Sequence, residues 1–562
     1  MQKINFSNAV AISLAVLTIV SIFFFFKALN YNLDLSDEGY YLYLGAFPDR
    51  IYGNLSSFAY FLNLIFYDLN LNIYAYRIFG VFITILTSII LFFSLELLLE
   101  IDKIKLTFAD KLSMCCFLIF GSLFYYSSWL LTPSYNWVLL ILIKIFLIIK
   151  IFQFNAINKK TYFNKLSFLL DSVVISLILL VKPTTGFAIL LINLLISIFL
   201  KKKNVIILYN FLVTFCVLFF SILIINFFYD SLEIYFTQFS TAMKIEASLT
   251  KQREIISLIF SPLQSFYQAI YILLLEYLSE TILLLVGIIL IIFFRKYSLY
   301  IITGILLLNI NSRICLNFSL ILILFYYFLS SQNFLNKITL YVFILLSLIF
   351  AYSFGSSNNL FLQSMFISIL YFVIIYLLLV NIDTSFNRFQ SMLIIFVLCC
   401  HVIISLKNAF YKPYGYDAKI NEFIKTEVSI RNNERLYISK EQSDFMNFIR
   451  KVFKNNNWER ELPLIDLSGK LPGILYLLDA RAVGNPWFNG YFEGSTNYAR
   501  KIISLSSDEH IKKSWLIFSE NEPDTISKQV IEERIGNLNE NYYLFAKYNY
   551  RKVNYTFWKP LM

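Results

Sequence analysis

Three carboxylates stand together just after the first hydrophobic segment, in the stretch LDLSDEGYYLYLG at residues 33–45. Asp37 and Glu38 are consecutive, and they are followed by Gly39, which allows a tight backbone turn. A carboxylate at a partly dry boundary has a raised proton affinity, which suits a general base that deprotonates a hydroxyl or an amine. The same residues could instead form the solvated N-terminal cap of a helix beginning at Glu38. The choice depends on what the rest of the chain places beside them.

The elements that must position this cluster are mostly apolar. The 562 residues are 58% hydrophobic, 19% aromatic and 15% charged, and long apolar runs recur through the first 410 positions. This pattern predicts an α-helical polytopic membrane protein. The net charge of +11 would suggest a nucleic-acid partner in a soluble protein. Many lysines and arginines border apolar runs here, where they set topology, so nucleic-acid binding is not expected.

The apolar runs predict about thirteen membrane-spanning helices, each of roughly 20 residues or somewhat fewer. Their approximate bounds are 9–28, 78–99, 112–131, 136–153, 166–181, 185–200, 205–228, 269–294, 298–311, 317–331, 338–354, 360–381 and 391–407. Lysines and arginines concentrate in alternate connections, which predicts a cytoplasmic N-terminus. An odd number of spans then places the C-terminal region outside the cytoplasm. The first outward loop, residues 29–77, shares that face with the loop at 229–268.

The C-terminal region differs in composition from the rest of the chain. About half of all charged residues lie in residues 411–562, which predicts a separate extracytoplasmic domain beside a transmembrane domain at 1–410. Strand-like runs such as LPLIDLS and SWLIFSE alternate with segments of helical spacing, which favours an α/β fold. A stretch at 466–494 is rich in Gly, Pro and aromatic residues. It would form either a cap over a membrane site or ordinary connections within a small domain.

A first span, an outward loop that opens with Asp-Glu, about a dozen further spans and an extracytoplasmic tail resemble the GT-C superfamily of polyprenyl-phosphate-dependent glycosyltransferases. Protein O-mannosyltransferases and lipid A aminoarabinose transferases are the members that the chain looks most like. The resemblance rests on Asp37-Glu38 and on a K-P-x-x-G motif at Lys182, Pro183 and Gly186. It implies sugar transfer from a polyprenyl phosphate on the outer side of the membrane. An acidic residue of the first loop then acts as base or orients the acceptor, and a basic residue such as Lys182 lies at the donor phosphate.

The chain also departs from these relatives. Its second outward loop reads LLTPSYNWVLL and has no carboxylate. Tyr135 and Asn136 remain as acceptor-orienting candidates, although Asn136 cannot act as a base. The Glu-Lys-Pro segment of aminoarabinose transferases is missing from the first loop, which argues against that substrate.

Such a reaction requires a base, cations and an apolar groove for the isoprenoid. Asp37 is the first choice for the base and Glu38 the second. Cations must hold the departing phosphate, because negative charge develops on its oxygens in a low dielectric. Lys182 is the leading candidate, although it could equally be an interfacial snorkelling residue. The lower-ranked candidates are Arg50, Lys244 and Arg253, which could also be solvated loop charges.

No firm cofactor is indicated. With only His401 and His510 in the chain, a His-rich zinc site is not available. A divalent cation at Asp37 and Glu38 is a weaker alternative, since the loop has no D-x-D run. The six cysteines lie in or beside hydrophobic segments and suggest no disulfide framework.

The sequence therefore predicts an inverting glycosyltransferase of the bacterial plasma membrane and cell envelope. It would move a sugar from a polyprenyl-phosphate donor to a lipid, glycan or protein acceptor at the periplasmic or extracellular face. One alternative is a surface-polysaccharide polymerase or ligase. Another is a non-enzymatic flippase or transporter of lipid-linked sugars, for which internal repeats and charged central helices are expected.

Overall fold

A computed structural model describes most of the chain and shows a mainly helical protein with a sheet-containing C-terminal region. The residues outside this description are 1–5, 51–55, 102–103, 157–162, 200–203, 230–262, 264–266, 269, 273–274, 331–336, 355–362, 364, 382–384, 414–421, 491–493, 521 and 562. The loop at 229–268 therefore falls almost entirely outside the described residues, as do Lys244 and Arg253.

The first part of the chain consists of fifteen described helices. They are α1 (Phe6–Ala28), α2 (Asp37–Ala46), α3 (Phe58–Asp68), α4 (Ile73–Ile101), α5 (Phe108–Leu123), α6 (Tyr135–Ala156), α7 (Phe163–Val181), α8 (Pro183–Phe199), α9 (Asn204–Tyr229), α10 (Leu278–Phe293), α11 (Ser298–Leu308), α12 (Cys315–Ser330), α13 (Lys337–Ser353), α14 (Ser368–Asn381) and α15 (Ser385–Tyr411). Each of the apolar segments identified in the sequence contains one of these helices. The prediction of helices at those places is confirmed.

Fewer of these helices are long enough to cross a membrane by themselves. Within the described residues, five helical segments are long and apolar enough to cross a membrane. They are Ser7–Ala28, Ile73–Glu100, Phe108–Ser128, Tyr135–Gln153 and Arg388–Tyr411. A sixth results if α10 and the helix at Arg295–Leu308 count as one span, although they are bent by 119°. The other apolar helices have 10–17 described residues. Membrane character is thus supported, whereas the number of crossings stays a prediction.

The C-terminal region has two sheets. Strands β1 (Phe423–Glu427) and β2 (Arg435–Ser439) form an antiparallel pair, and helix α16 (Lys440–Asn455) follows them. The larger sheet has the order β4-β3-β5-β7-β6. Its remaining elements are β3 (Pro463–Asp466), α17 (Pro472–Leu477), β4 (Arg481–Ala482), α18 (Ser495–Ile503), α19 (Asp508–Lys512), β5 (Trp515–Glu520), α20 (Gln529–Ile535), α21 (Leu538–Asn541), β6 (Tyr542–Tyr550) and β7 (Val553–Pro560). Strands β3, β4 and β5 are parallel, and β7 is antiparallel to both of its neighbours.

Helix α2 and the start of helix α4 contact the C-terminal region. Gly39 of α2 lies directly against Gly473 of α17, and a Cβ atom on Gly39 would come 2.4 Å from the Gly473 Cα atom. The Gly473 amide donates to the Leu35 carbonyl oxygen at 2.7 Å. The Glu434 carboxylate accepts from the amides of Ile73 and Tyr74, at 2.7 and 2.9 Å, and so caps the N-terminus of α4. The C-terminal region is therefore docked on this end of the helical bundle.

Candidate functional site

Glu38 lies in a closed network of hydrogen bonds. Its carboxylate accepts from Arg77 Nε at 3.0 Å and from Arg77 Nη2 at 2.9 Å, a bidentate pair in which both side chains are buried. The Thr132 hydroxyl donates to it at 2.5 Å, and the Asp34 amide donates at 3.2 Å. A carboxylate with four donors and 1% exposure has little capacity left for a substrate. This geometry favours a positioning role for Glu38, and its use as the second-choice base stays a prediction.

Arg77 extends that network to the end of α1. Its Nη1 donates to the carbonyl oxygens of Leu29 and Tyr31, and its Nη2 donates to that of Asn32. These carbonyls belong to the residues directly after α1, which have no further helical turn to supply donors. The Glu38–Arg77 pair thus joins α1, α2 and α4.

Asp37 has different surroundings, although it is the next residue in the chain. It is half-buried at the first position of α2, where the helix dipole favours a negative charge. Burial raises the pKa of the Tyr40 phenol, and the neighbouring Tyr498, Tyr135 and Asp37 raise it further. Asp37 also interacts electrostatically with Tyr135 itself. The predicted base and the predicted acceptor-orienting Tyr135 therefore lie close enough to interact.

Asp34, the third carboxylate of the cluster, stabilises the start of α2. It accepts from the Ser36 hydroxyl, at 2.7 Å to Oδ2, and from the Glu38 amide at 3.2 Å. Ser36 is the N-cap residue, but its side chain makes no capping hydrogen bond. The Asp34 carboxylate accepts from the Glu38 amide instead and so caps the helix. The acidic cluster thus contains one capping residue, one ion-paired residue and Asp37.

A second group of side chains leads from Tyr135 to Lys182. The Tyr352 hydroxyl donates to Asn136 Oδ1 at 2.5 Å, and Asn136 also interacts with Tyr135 through its side chain. Lys182 Nζ lies 4.5 Å from the centre of the Tyr352 ring and donates to the Tyr352 carbonyl oxygen at 2.7 Å. The structure therefore brings together Asp37, Tyr135, Asn136 and Lys182, with Tyr352 as an additional member.

The K-P-x-x-G motif forms the sharp connection between α7 and α8. Pro183 is the first residue of α8, a position where its missing amide costs no hydrogen bond. At Gly186 a Cβ atom would come 2.6 Å from the backbone of Leu179, so glycine allows α8 to lie against α7. Lys182 sits at the connection itself, and burial lowers the pKa of its amine to about 7.

Of the other predicted cations, Arg50 is the described one, and it lies at the far end of α2. Arg50 ends the 3₁₀ helix Pro48–Arg50, which follows α2, so the length of α2 separates it from Asp37. Its guanidinium pairs with Glu461 of the C-terminal region at 2.9 Å and lies 4.1 Å from the centre of the Phe47 ring. A phosphate role for Arg50 gains no support from this position. Lys244 and Arg253 lie outside the described residues.

The Gly/Pro-rich segment of the C-terminal region contributes aromatic residues to the neighbourhood of Asp37. The Trp487 ring lies 5.6 Å from the Tyr40 ring, and its indole nitrogen donates to the Gly469 carbonyl oxygen at 2.7 Å. Tyr498 accepts a hydrogen bond from the Asn485 amide at 2.9 Å. Tyr40 thus lies near the half-buried carboxylate, and the Trp487 ring packs against Tyr40.

The described residues contain no cluster of metal-ligating side chains that would support the predicted cation site. Among the described residues, no three His, Cys, Asp or Glu side chains are grouped so as to hold a metal ion. Glu38, which the prediction required, is already bound to Arg77. A cation at Asp37 and Glu38 stays a prediction.

Sequence reasoning missed Arg77, Thr132, Tyr352 and Trp487 as individual site residues. Arg77 offered a signal, since it is a lone charge at the start of the apolar run of α4 and must find a partner there. Tyr352 offered none, because it lies 170 residues from Lys182 in an ordinary apolar helix. Comparison with known proteins gives no match to a family model, a curated protein or a solved structure.

Proposed function

We propose that this protein is a membrane glycosyltransferase of the GT-C type, which moves a sugar from a polyprenyl-phosphate donor to a lipid, glycan or protein acceptor. The observation that carries the proposal is the convergence of Asp37 and Lys182 on the Tyr135–Asn136–Tyr352 group. A carboxylate, a cation and hydrogen-bonding side chains are the groups that such a transfer requires.

In the proposed reaction, Asp37 takes the proton from an acceptor hydroxyl as its oxygen attacks the anomeric carbon of the donor sugar. A bond forms between that oxygen and the anomeric carbon, while the bond from the carbon to the phosphate oxygen breaks. The electron pair leaves with the polyprenyl phosphate, and the protonated Lys182 amine stabilises its charge. Attack from the side opposite the leaving group inverts the anomeric centre, and no covalent intermediate with the protein forms.

The surrounding side chains have separate parts in this proposal. Tyr135 and Asn136 orient the acceptor, Tyr40 and Trp487 offer aromatic faces to a sugar, and Glu38 with Arg77 holds α2 in place. The apolar helices supply the groove for the isoprenoid. The proposed topology has about thirteen spans in a bacterial plasma membrane, a cytoplasmic N-terminus and a periplasmic or extracellular C-terminal region.

A transfer assay tests the proposal directly. Purified protein in lipid vesicles receives a radiolabelled polyprenyl-phosphate sugar and a membrane extract as acceptor, and labelled product is counted. Asp37→Asn is expected to lower transfer by about 10² to 10⁴, the usual contribution of a general base. Asp49→Asn removes an exposed acid of the same loop and is the matched control. Wild-type transfer by Asp37→Asn would refute the mechanism.

Lys182 allows a second measurement in the same assay. Since the pKa of its amine is about 7, donor affinity should weaken as the pH rises from 6 to 9 and the amine loses its proton. Lys182→Met should bind the donor weakly at every pH. Lys182→Arg keeps a charge throughout this range, so its affinity should depend less on pH. If the donor affinity of Lys182→Met depended on pH as it does in the wild type, contact between Lys182 and the donor phosphate would be excluded.

A flippase is the second candidate, because one buried ion pair lies deep among the helices. Lys150 Nζ of α6 lies 2.6 Å from Asp171 of α7 and 2.6 Å from the Asn193 side-chain oxygen of α8. Ionisable groups at such depth are frequent in transport proteins. Movement of labelled lipid-linked sugar across vesicles without an acceptor, abolished in Asp171→Asn and retained in Asp37→Asn, would favour this function.

The proposed topology has its own test. A single cysteine at the exposed position Lys512, in a chain without the native cysteines, should react with a membrane-impermeant reagent added to intact cells. Protection from the reagent in intact cells, with labelling only after lysis, would place the C-terminal region in the cytoplasm and overturn the proposed orientation.

A further inference from the structure

The C-terminal region contains a second recessed surface, which the proposed transfer reaction does not use. It is a cleft of about 640 Å³ between the end of α16, the residues that follow it and the β1–β2 connection. Its lining includes the charged residues Glu427, Arg450, Lys451, Lys454 and Arg460 together with Trp458. We call this surface the basic cleft. Its volume is in the range of sites that bind small ligands.

Positive charge dominates the lining of the basic cleft. Four cations, Arg450, Lys451, Lys454 and Arg460, face one carboxylate, Glu427. Glu427 is already paired with Arg450 at 2.8 Å, so it offsets only one of the four. Lys451 and Lys454 are exposed, and the structure shows no ion pair for either among the described residues. Three uncompensated cations around one recess attract an anion.

The remaining lining suits a saccharide better than a simple ion. The Trp458 indole nitrogen donates to the Leu478 carbonyl oxygen at 3.1 Å, and its ring packs 5.1 Å from that of Trp515, so the side chain is fixed. Asn433 and Asn455 add amide groups that can donate and accept hydrogen bonds. An aromatic face with several amides binds sugar rings and hydroxyls, while the cations select for negative charge.

The walls of the basic cleft are also held rigidly. Asn447 Oδ1 accepts from Arg450 Nη2 at 2.5 Å, and Arg460 Nη2 donates to the Ile430 carbonyl oxygen at 2.9 Å. The Ile430 amide donates in turn to the Leu477 carbonyl oxygen at 3.2 Å. A site whose side chains are already placed loses less conformational entropy when a ligand binds.

The basic cleft and Asp37 lie at opposite ends of α2. Arg431, next to the cleft residue Ile430, places its guanidinium 5.3 Å from the centre of the Phe47 ring, directly after the end of α2. Asp37 is the first residue of that ten-residue helix. A helix of this length spans roughly 15 Å, so the two places cannot be contacts of one monosaccharide.

We propose that the basic cleft binds an acidic saccharide, in which sugar units carry carboxylate or phosphate groups. The cations bind the acidic groups, and Trp458 with the asparagines contacts the sugar rings. This binding is independent of the transfer reaction and does not require Asp37. Both kinds of ligand are anionic sugars, and separate probes distinguish those with carboxylate groups from those with phosphate groups.

The test uses the full-length protein in detergent and follows Trp fluorescence or heat on titration. Trigalacturonic acid is the carboxylate probe, glucose 6-phosphate the phosphate probe, maltotriose the neutral control and inorganic phosphate the control for simple ions. Binding of at least one acidic sugar, weakened by salt and much tighter than binding of both controls, is expected. If maltotriose bound as tightly as the acidic sugars, the role of the cations would be refuted. If inorganic phosphate bound as tightly, the basic cleft would be a site for simple ions only, and the saccharide proposal would be overturned.

Variants connect that binding to the basic cleft. Lys451→Glu with Lys454→Glu should weaken affinity by about tenfold or more, because two attractive charges become repulsive. Lys501→Glu with Lys512→Glu makes the same charge change at exposed positions away from the basic cleft and should leave affinity unchanged. Asp37→Asn should also bind normally, even if transfer is lost. Equal losses in both double variants, or no binding by the wild type, would overturn the proposal.

Discussion

Asp37 and Glu38 are neighbours in the chain, but α2 turns their side chains into different surroundings. Consecutive residues of an α-helix point about 100° apart, so one carboxylate can face the bundle while the next faces the site. Glu38 meets Arg77, Thr132 and the Asp34 amide and is almost completely buried. Asp37 remains half-buried beside Tyr40 and Tyr135.

This difference shows how two adjacent acids can divide two tasks. A buried carboxylate that is fully paired fixes the position of its helix, because moving it would leave charges without partners. A carboxylate at the helix start with part of its surface accessible can meet a substrate. Loss of the two acids should therefore have different effects on the stability of the fold.

The largest effect is expected for Glu38→Ala, which leaves Arg77 buried without its counter-charge. Loss of one partner of a buried ion pair typically costs about 3 to 5 kcal/mol. Asp37→Asn should change the free energy of unfolding by less than about 1 kcal/mol. Thermal or denaturant unfolding of the detergent-solubilised protein, followed by Trp fluorescence, measures both.

A double variant checks that the cost comes from the unpaired charge. Glu38→Ala should cost less in an Arg77→Met background, which already lacks the cation, than it costs in the wild type. If Asp37→Asn destabilised the fold as much as Glu38→Ala, the division between the two acids would be wrong.

Asp466 extends the comparison to a buried carboxylate that has hydrogen bonds but no cation. It accepts from the Ser468 amide, the Ser468 hydroxyl and the Leu471 amide, at 2.9, 2.5 and 3.2 Å. Burial raises the pKa of this carboxyl to about 6, against a usual value of 3.8. The folded state therefore holds the proton more tightly, and its contribution to stability is full below pH 4 and is lost as the pH rises through 6.

Asp466→Asn should abolish this contribution to the pH dependence. The difference in unfolding free energy between wild type and variant should change by up to about 3 kcal/mol between pH 4 and pH 7. Unfolding measured at several pH values provides the test. A constant difference across this range would show that the three hydrogen bonds offset the effect of burial on the pKa of Asp466.

The sequence was sufficient to locate most helices, because apolar runs and charge clusters are local signals. The strands at β2, β3 and β5 were also predictable from short apolar runs between polar segments. The β6–β7 hairpin was missed, since its turn contains Arg551 and Lys552 at positive φ values of 51° and 66° where glycine or asparagine is usual. The number of crossings is not a local property, and the bend after α10 shows why apolar length alone does not determine it.

The candidate site was predictable only in part. Asp37 and Lys182 could be selected because each is a charge beside apolar segments. The pairing of Glu38 with Arg77 could not, because it joins residues 39 positions apart on different helices. The contact between Lys182 and Tyr352 depends on how α13 packs against α8, which no periodicity in either segment indicates.

Gly39→Ala tests the contact that positions both acids. The added methyl group would come 2.4 Å from the Gly473 Cα atom, so α2 and α17 must separate. Overpacking of this kind costs about 1 to 3 kcal/mol. Gly45→Ala is a matched control in the same helix, because its Cβ atom would lie 3.4 Å from the Phe66 ring. The control should be neutral or slightly stabilising, and equal losses in the two variants would exclude the Gly39–Gly473 contact as the cause.

The smallest effect is expected at Glu434, the acid through which the C-terminal region caps α4. Glu434→Gln keeps an oxygen acceptor for the amides of Ile73 and Tyr74 but removes the charge that favours a helix N-terminus. Loss of a favourable charge at a helix N-terminus costs about 0.3 to 1 kcal/mol, and Glu459→Gln at an exposed site should cost nothing measurable. Limited proteolysis between α15 and β1 should become faster in Glu434→Gln if this cap helps to hold the C-terminal region on the bundle. Unchanged proteolysis, together with unchanged stability, would mean that the docking depends on the α2–α17 contact rather than on this acid.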